Sequence, residues 1–201
     1  MAFHGSVLKG ACAGGPFADY MLYGIEQWVK KYGVDGVYFD GAGPPVPCAN
    51  ALHGHGWLDA SGKRQLVYAI FGLREFYKRL WIMLSEHIAD PIIWVHADGK
   101  TPIPCFSFCT ANYEGEMVQG PLLAGEALLS DMLPPDFWRA RGQATQWGLV
   151  NIWLPKLSRG ENRLRQQHDT LATLLVHGTP CAKPEQFDRE LIEPIWRALH
   201  E

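Results

Sequence analysis

Short apolar runs alternate with longer stretches of helical periodicity along this chain, and that alternation constrains the fold more than any single motif. Strand-like runs fall at residues 7–12, 34–39, 92–96, 109–114, 149–154 and 179–182, and all but one are separated by a substantial helical pattern. Parallel strands need long crossover connections, so the pattern predicts an α/β fold built on a parallel sheet. No linker, charge block or low-complexity segment interrupts residues 1–201, which read as a single domain.

The helical stretches carry their own start and stop signals. Ala13-Gly14-Gly15-Pro16 breaks the chain, and Phe17, Tyr20, Met21, Ile25 and Trp28 then recur at steps of three and four until Gly33. Leu66, Ile70, Leu73, Tyr77, Leu80 and Leu84 predict a helix over residues 65–87. Pro134 and Pro135 open another that Gly148 ends, and residues 161–177 and 185–199 supply the last two. Residues 41–63 form a long connection rich in Gly and Pro, and a second loop runs from residue 115 to 133.

A doubly wound sheet that binds nucleotides would carry a glycine-rich phosphate loop, and neither GxGxxG nor GxxxxGK follows an early strand. An eight-stranded barrel typically takes about 250 residues. Six units in 201 residues therefore suit an incomplete (β/α)8 TIM-type barrel lacking its first two units. The first and last strands would then be unpaired edges, which favour self-association.

Composition narrows the partners. The formal net charge is -3 and there is no Lys/Arg run, so nothing points to nucleic acid. No apolar run approaches the roughly 18 residues of a membrane span, and the N-terminus lacks a signal-peptide pattern, which leaves the compartment open. The 5 cysteines are odd in number without a CxxC, so neither a disulfide framework nor a zinc ribbon is indicated. The 8 Trp suit either a core or a half-wet binding site for a neutral ligand.

Chemistry concentrates at the strand ends. Asp40 closes the run GVDGVYFDG, where it is either a catalytic carboxylate at a barrel rim or a cap on the following turn. His96 and Asp98 end the next strand, and Glu114 and Glu116 the one after. Glycosidic hydrolysis needs two carboxyl groups, one to protonate the leaving oxygen and one to attack or to activate water, and Asp40 with Glu114 or Glu116 would supply both. Cys48, His53, His55, His96 and Asp98 are numerous enough for a metal. Glycines flank His55, however, and a catalytic zinc needs three preorganised ligands with an open fourth position, so no metal or cofactor is expected. The histidines and Trp57 are read instead as sugar-binding groups. No GxSxG elbow is present.

The runs YGVDGVYFDG, HGHGW, FGLREFYKRLW, WVHADG, IPCFSF, YEGE and FWRARGQATQWG, in that order over about residues 11–184, resemble the catalytic (β/α) barrel of uncharacterised glycoside hydrolases related to glycoside hydrolase family 123. The resemblance implies a sugar-cleaving barrel with Asp40 on its fourth strand and Glu114 or Glu116 after its sixth. It also implies absent N-terminal barrel strands and accessory β domains. Family 123 enzymes use an adjacent Asp-Glu pair with the substrate's acetamido group as nucleophile, and this chain has no Asp-Glu dipeptide. The expectation is thus a glycoside hydrolase domain with Asp40 as nucleophile or charge stabiliser and Glu116, or else Glu114, as general acid/base. His53, His55, Trp57, His96 and Asp98 would contact the carbohydrate. A non-catalytic carbohydrate-binding barrel fragment is the alternative, and a metal-dependent hydrolase a third reading.

Overall fold

The structure is a computed structural model that describes residues 2–3, 6–7, 11–41, 45–97, 102–143 and 148–200. In chain order its elements begin with the two-residue strands β1 (Ala2–Phe3) and β2 (Ser6–Val7), helix α1 (Phe17–Tyr32) and strand β3 (Gly36–Phe39). Short strands β4 (Pro47–Cys48), β5 (Trp57–Leu58), β6 (Arg64–Gln65) and β7 (Val67–Tyr68) precede helix α2 (Ile70–Ser85). Strand β8 (Ile92–His96), helix α3 (Ile103–Phe106), strand β9 (Ala111–Glu114) and the short helices α4 (Gln119–Ala124), α5 (Leu129–Met132) and α6 (Pro135–Phe137) follow. Strand β10 (Val150–Trp153) and helices α7 (Arg163–Val176) and α8 (Arg189–His200) complete the chain. The fold is mixed α/β with a four-stranded parallel sheet ordered β10-β9-β8-β3.

The chain gathers into two compact units, Met1–Trp94 with Lys100–Cys109, and Val95–Gly99 with Thr110–Glu201. In the first, α1 keeps to its predicted limits. Gly33 stops it in the left-handed conformation (φ 62°, ψ 38°), its N–H reaching the Val29 carbonyl at 2.9 Å. Asp19 in the first turn accepts from Arg79 of α2 at 2.6 Å. The rings of Phe39, Phe76, Tyr77 and Phe106 pack edge to face over a core that includes Leu80, Leu84 and Ile93. Strand β3 runs so close to β8 that a Cβ at Gly36 would lie 2.2 Å from the Ile92 carbonyl oxygen. Gly36→Ala should therefore force the strands apart and destabilise the fold by about 2 kcal/mol, read as a lower denaturant midpoint. An unchanged midpoint would refute that close approach.

In the second unit the end of β8 is followed by β9 and β10, with Val150 to Trp153 in register against Ala111 to Glu114. Trp138, Trp153, Val118, Leu122, Leu129 and Leu174 form its main core. Gln166 is fully buried and ties three segments together: its amide donates to the Leu122 and Ala127 carbonyls at 2.9 and 2.8 Å, and its carbonyl accepts from Ser158 N–H at 2.9 Å.

Several expectations are corrected. Of the six predicted parallel strands, four form the sheet. For the first, Val7 lies in β2, which pairs antiparallel with β1, residues 8–10 lie outside the described residues, and residues 11–12 enter a turn. The last is reduced to a bridge from Trp153 to Cys181, since Pro180 has no N–H to extend a ladder. The connection at 41–63 carries β4 and β5, which pair antiparallel with β7 and β6 just beyond it. Those pairings occupy Arg64 to Tyr68, so α2 begins only at Ile70. The loop at 115–133 holds two short helices whose Leu122 and Leu129 enter the core. The helix from Pro135 is cut short: residues Trp138–Gly142 form a π turn. A Cβ on Gly142 would meet the Trp138 ring at 2.3 Å, so a glycine is required where that turn closes. Residues 144–147, the expected end of this helix, lie outside the described residues.

Candidate functional site

In the second unit, the C-terminal ends of β8, β9 and β10 bring together His96, Tyr113, Glu114, Glu116 and Lys156. Alternation along β9 turns Glu114 inward, where it is 1% exposed. Its Oε1 accepts from Arg141 at 2.7 Å and from the Asn112 amide at 2.9 Å. Arg141 comes from the π turn, whose backbone is held in turn by Asn151: the Asn151 amide donates to the Arg141 and Gln143 carbonyls at 2.6 and 3.2 Å. Glu114 is thus the centre of a buried, hydrogen-bonded ion pair.

Glu116 is also paired with a cation but is far more open. Gly115 at φ 124° turns the chain between the two acids, and a Cβ there would meet the Leu154 carbonyl at 2.6 Å. The turn leaves Glu116 32% exposed, with Lys156 Nζ 2.6 Å from Oε1 and His96 Nε2 3.7 Å from Oε2. His96 is buried and packs edge to face on Tyr113 with ring centroids 5.7 Å apart. Burial raises the Tyr113 hydroxyl above its ordinary range, keeping it a neutral donor. This arrangement presents a partly solvent-accessible carboxylate, bonded by Lys156, beside the His96 and Tyr113 rings.

In the first unit, Asp40 follows the last residue of β3 and is exposed. Its Oδ1 accepts from the Tyr38 hydroxyl at 3.2 Å and from Gly41 N–H at 3.0 Å. Asp40 opens onto a cavity of about 360 Å³ whose wall includes Phe17, Met21, Phe39, Phe76 and Tyr77. A volume of that order, mostly apolar with a single carboxylate, fits a small-molecule subsite.

The remaining expected residues separate. His53 and His55 are engaged with sulfur: Cys48 Sγ lies 3.2 Å from His53 Nε2, and Cys12 Sγ 3.1 Å from His55 Nδ1. Trp57 sits on the β5–β6 ribbon, 55% exposed. Asp98 lies outside the described residues. Sequence reasoning missed Cys12, Arg141 and Lys156. Arg141 lay in the run FWRARGQATQWG with no role assigned, Lys156 just past the strand predicted at 149–154, and Cys12 was read as the end of a strand and as one of five cysteines without a framework.

No family model, curated protein or solved structure matches the chain. Among the described residues, no helix is long and apolar enough to cross a membrane.

Proposed function

We propose that this chain is a glycoside hydrolase domain, its parallel strands belonging to a (β/α) barrel of the kind found in relatives of glycoside hydrolase family 123. The observation that carries the reading is Asp40 at the end of a parallel strand, opening onto a 360 Å³ cavity walled by aromatic rings. Rings of this kind stack on the apolar faces of a sugar, and a strand-end carboxylate is placed to meet its anomeric carbon. Asp40 acts as nucleophile or charge stabiliser. Glu116, or else Glu114, acts as general acid/base; both are paired with a cation, and Glu116 is favoured because it is 32% exposed where Glu114 is 1% exposed. Lys156 holds the Glu116 carboxylate in place, with His96 Nε2 3.7 Å away.

The test is hydrolysis of a broad panel of aryl and natural glycosides by the wild type and by Asp40→Asn, with glycan binding measured in parallel. The substitution keeps the shape and removes the charge, so turnover should fall by at least about 100-fold while binding survives. Binding without any hydrolysis by the wild type, unchanged in Asp40→Asn, would replace this reading with that of a carbohydrate-binding module.

A further inference from the structure

We propose that Cys12, Cys48, His53 and His55 bind a zinc ion that pins the turn before α1 to the loop carrying β4. Their four ligand atoms, two sulfurs and two imidazole nitrogens, all lie within 4.8 Å of one another. A tetrahedral zinc with Zn–S near 2.3 Å and Zn–N near 2.1 Å sets its ligand atoms about 3.3–3.8 Å apart. The two S–N distances of 3.1 and 3.2 Å fall just short of that range, and the widest separation exceeds it by about 1 Å. Small side-chain rotations close the set.

The backbone around the two sulfurs is ordered. Each sulfur receives a backbone hydrogen bond from two residues on: Cys48 Sγ accepts from Asn50 N–H at 3.4 Å, and the Gly14 backbone hydrogen-bonds Cys12. Such donors orient and stabilise a metal-bound sulfur. The Asn50 carbonyl also fixes His55, accepting its N–H at 3.0 Å, and the Asn50 side chain caps the turn that bears His53. The rings need glycine neighbours. A Cβ on Gly14 would lie 2.7 Å from the His55 ring, and one on Gly15 3.0 Å from that of His53.

Two thiolates and two neutral imidazoles around Zn²⁺ form a neutral, closed set, with each thiol releasing its proton to solvent as its sulfur binds. Four protein ligands leave no position for substrate, so the ion is structural. Ala11 and Ala13, on either side of Cys12, and Val46, two residues before Cys48, line the Asp40 cavity. Zinc therefore stiffens one wall of that cavity without taking part in chemistry there, and its test does not depend on the hydrolase reading.

The full chain, purified under reducing conditions, should contain about one zinc by elemental analysis. After chelation, Co²⁺ should restore one metal per chain with the strong visible bands of a tetrahedral site and a thiolate-to-metal band, releasing protons as it binds. Cys48→Ser and His53→Ala should each lose the metal, while Cys181→Ser, outside the cluster, should keep it. Chelation of the wild type should lower its melting temperature by more than about 5 °C. A reduced wild type that contains no zinc and yields no tetrahedral Co²⁺ spectrum would overturn the proposal, as would a Cys12–Cys48 disulfide that leaves melting unchanged by chelator. Full metal content in both Cys48→Ser and His53→Ala would overturn it too.

Discussion

Glu116→Gln should separate substrates by their leaving groups. A natural glycosidic bond needs its departing oxygen protonated, and removing that proton donor should slow its cleavage by about 10²–10⁴-fold. An aryl glycoside with a good leaving group needs little protonation, so its first bond cleavage should be nearly unaffected. The pH dependence of the rate should lose its alkaline limb in the same variant, because that limb reports the acid form of the group. Lys156→Met is the companion variant. It leaves the carboxyl in place but removes the 2.6 Å contact that positions it, so a smaller loss without leaving-group dependence is expected. If Glu116→Gln instead slows both substrate types equally, Glu116 is not the proton donor.

The largest effect on stability is expected from Arg141→Met. Glu114 is 1% exposed, and the Arg141 guanidinium is held 2.7 Å from its Oε1. Taking Arg141 away removes the cation from a buried carboxylate that still accepts from the Asn112 amide. Breaking such a pair typically costs 3–5 kcal/mol; the 25% exposure of Arg141 admits some water, so about 3 kcal/mol is expected. For a chain of this size that lowers the melting temperature by about 6–12 °C. Glu114→Gln combined with Arg141→Met removes both charges and should recover most of the loss, which a merely packing role for Arg141 would not allow. A single variant melting with the wild type would show that the pair carries no net stability.

What could be read in advance was local. Pro16 and Gly33 bound α1 because one suits a helix start and the other its left-handed stop, and both act on residues beside them. Strands β3 and β8 stood out as apolar runs closed by a polar residue, and β9 and β10 as short runs of strand-forming residues between breakers. The pieces that escaped depend on distant partners. Strands of two residues, such as β4 and β7, are too short to show a period, and their pairing spans the whole loop between them. The π turn at Trp138–Gly142 follows from the ring of Trp138 lying over Gly142, which helical periodicity does not encode.

The candidate site divides the same way. Asp40 and Glu116 were legible as strand-end acids. That Glu114 is sequestered rests on Arg141, 27 residues further on and inside a stretch read as plain helix. The Cys/His cluster was half legible, since Cys48, His53 and His55 are close in sequence. Its fourth member, Cys12, lies 43 residues before His55, and only the fold brings the two to 3.1 Å.

The central claim is that Asp40 does chemistry at an anomeric carbon, and chemical rescue tests it most directly. Asp40→Gly should lose at least about 100-fold in turnover of an aryl glycoside that the wild type cleaves. Added azide, small enough to occupy the space left by the side chain, should restore the rate. A glycosyl azide product then marks Asp40 as the nucleophile, and loss without rescue marks it as the charge stabiliser. Turnover in Asp40→Gly equal to that of the wild type would contradict the account.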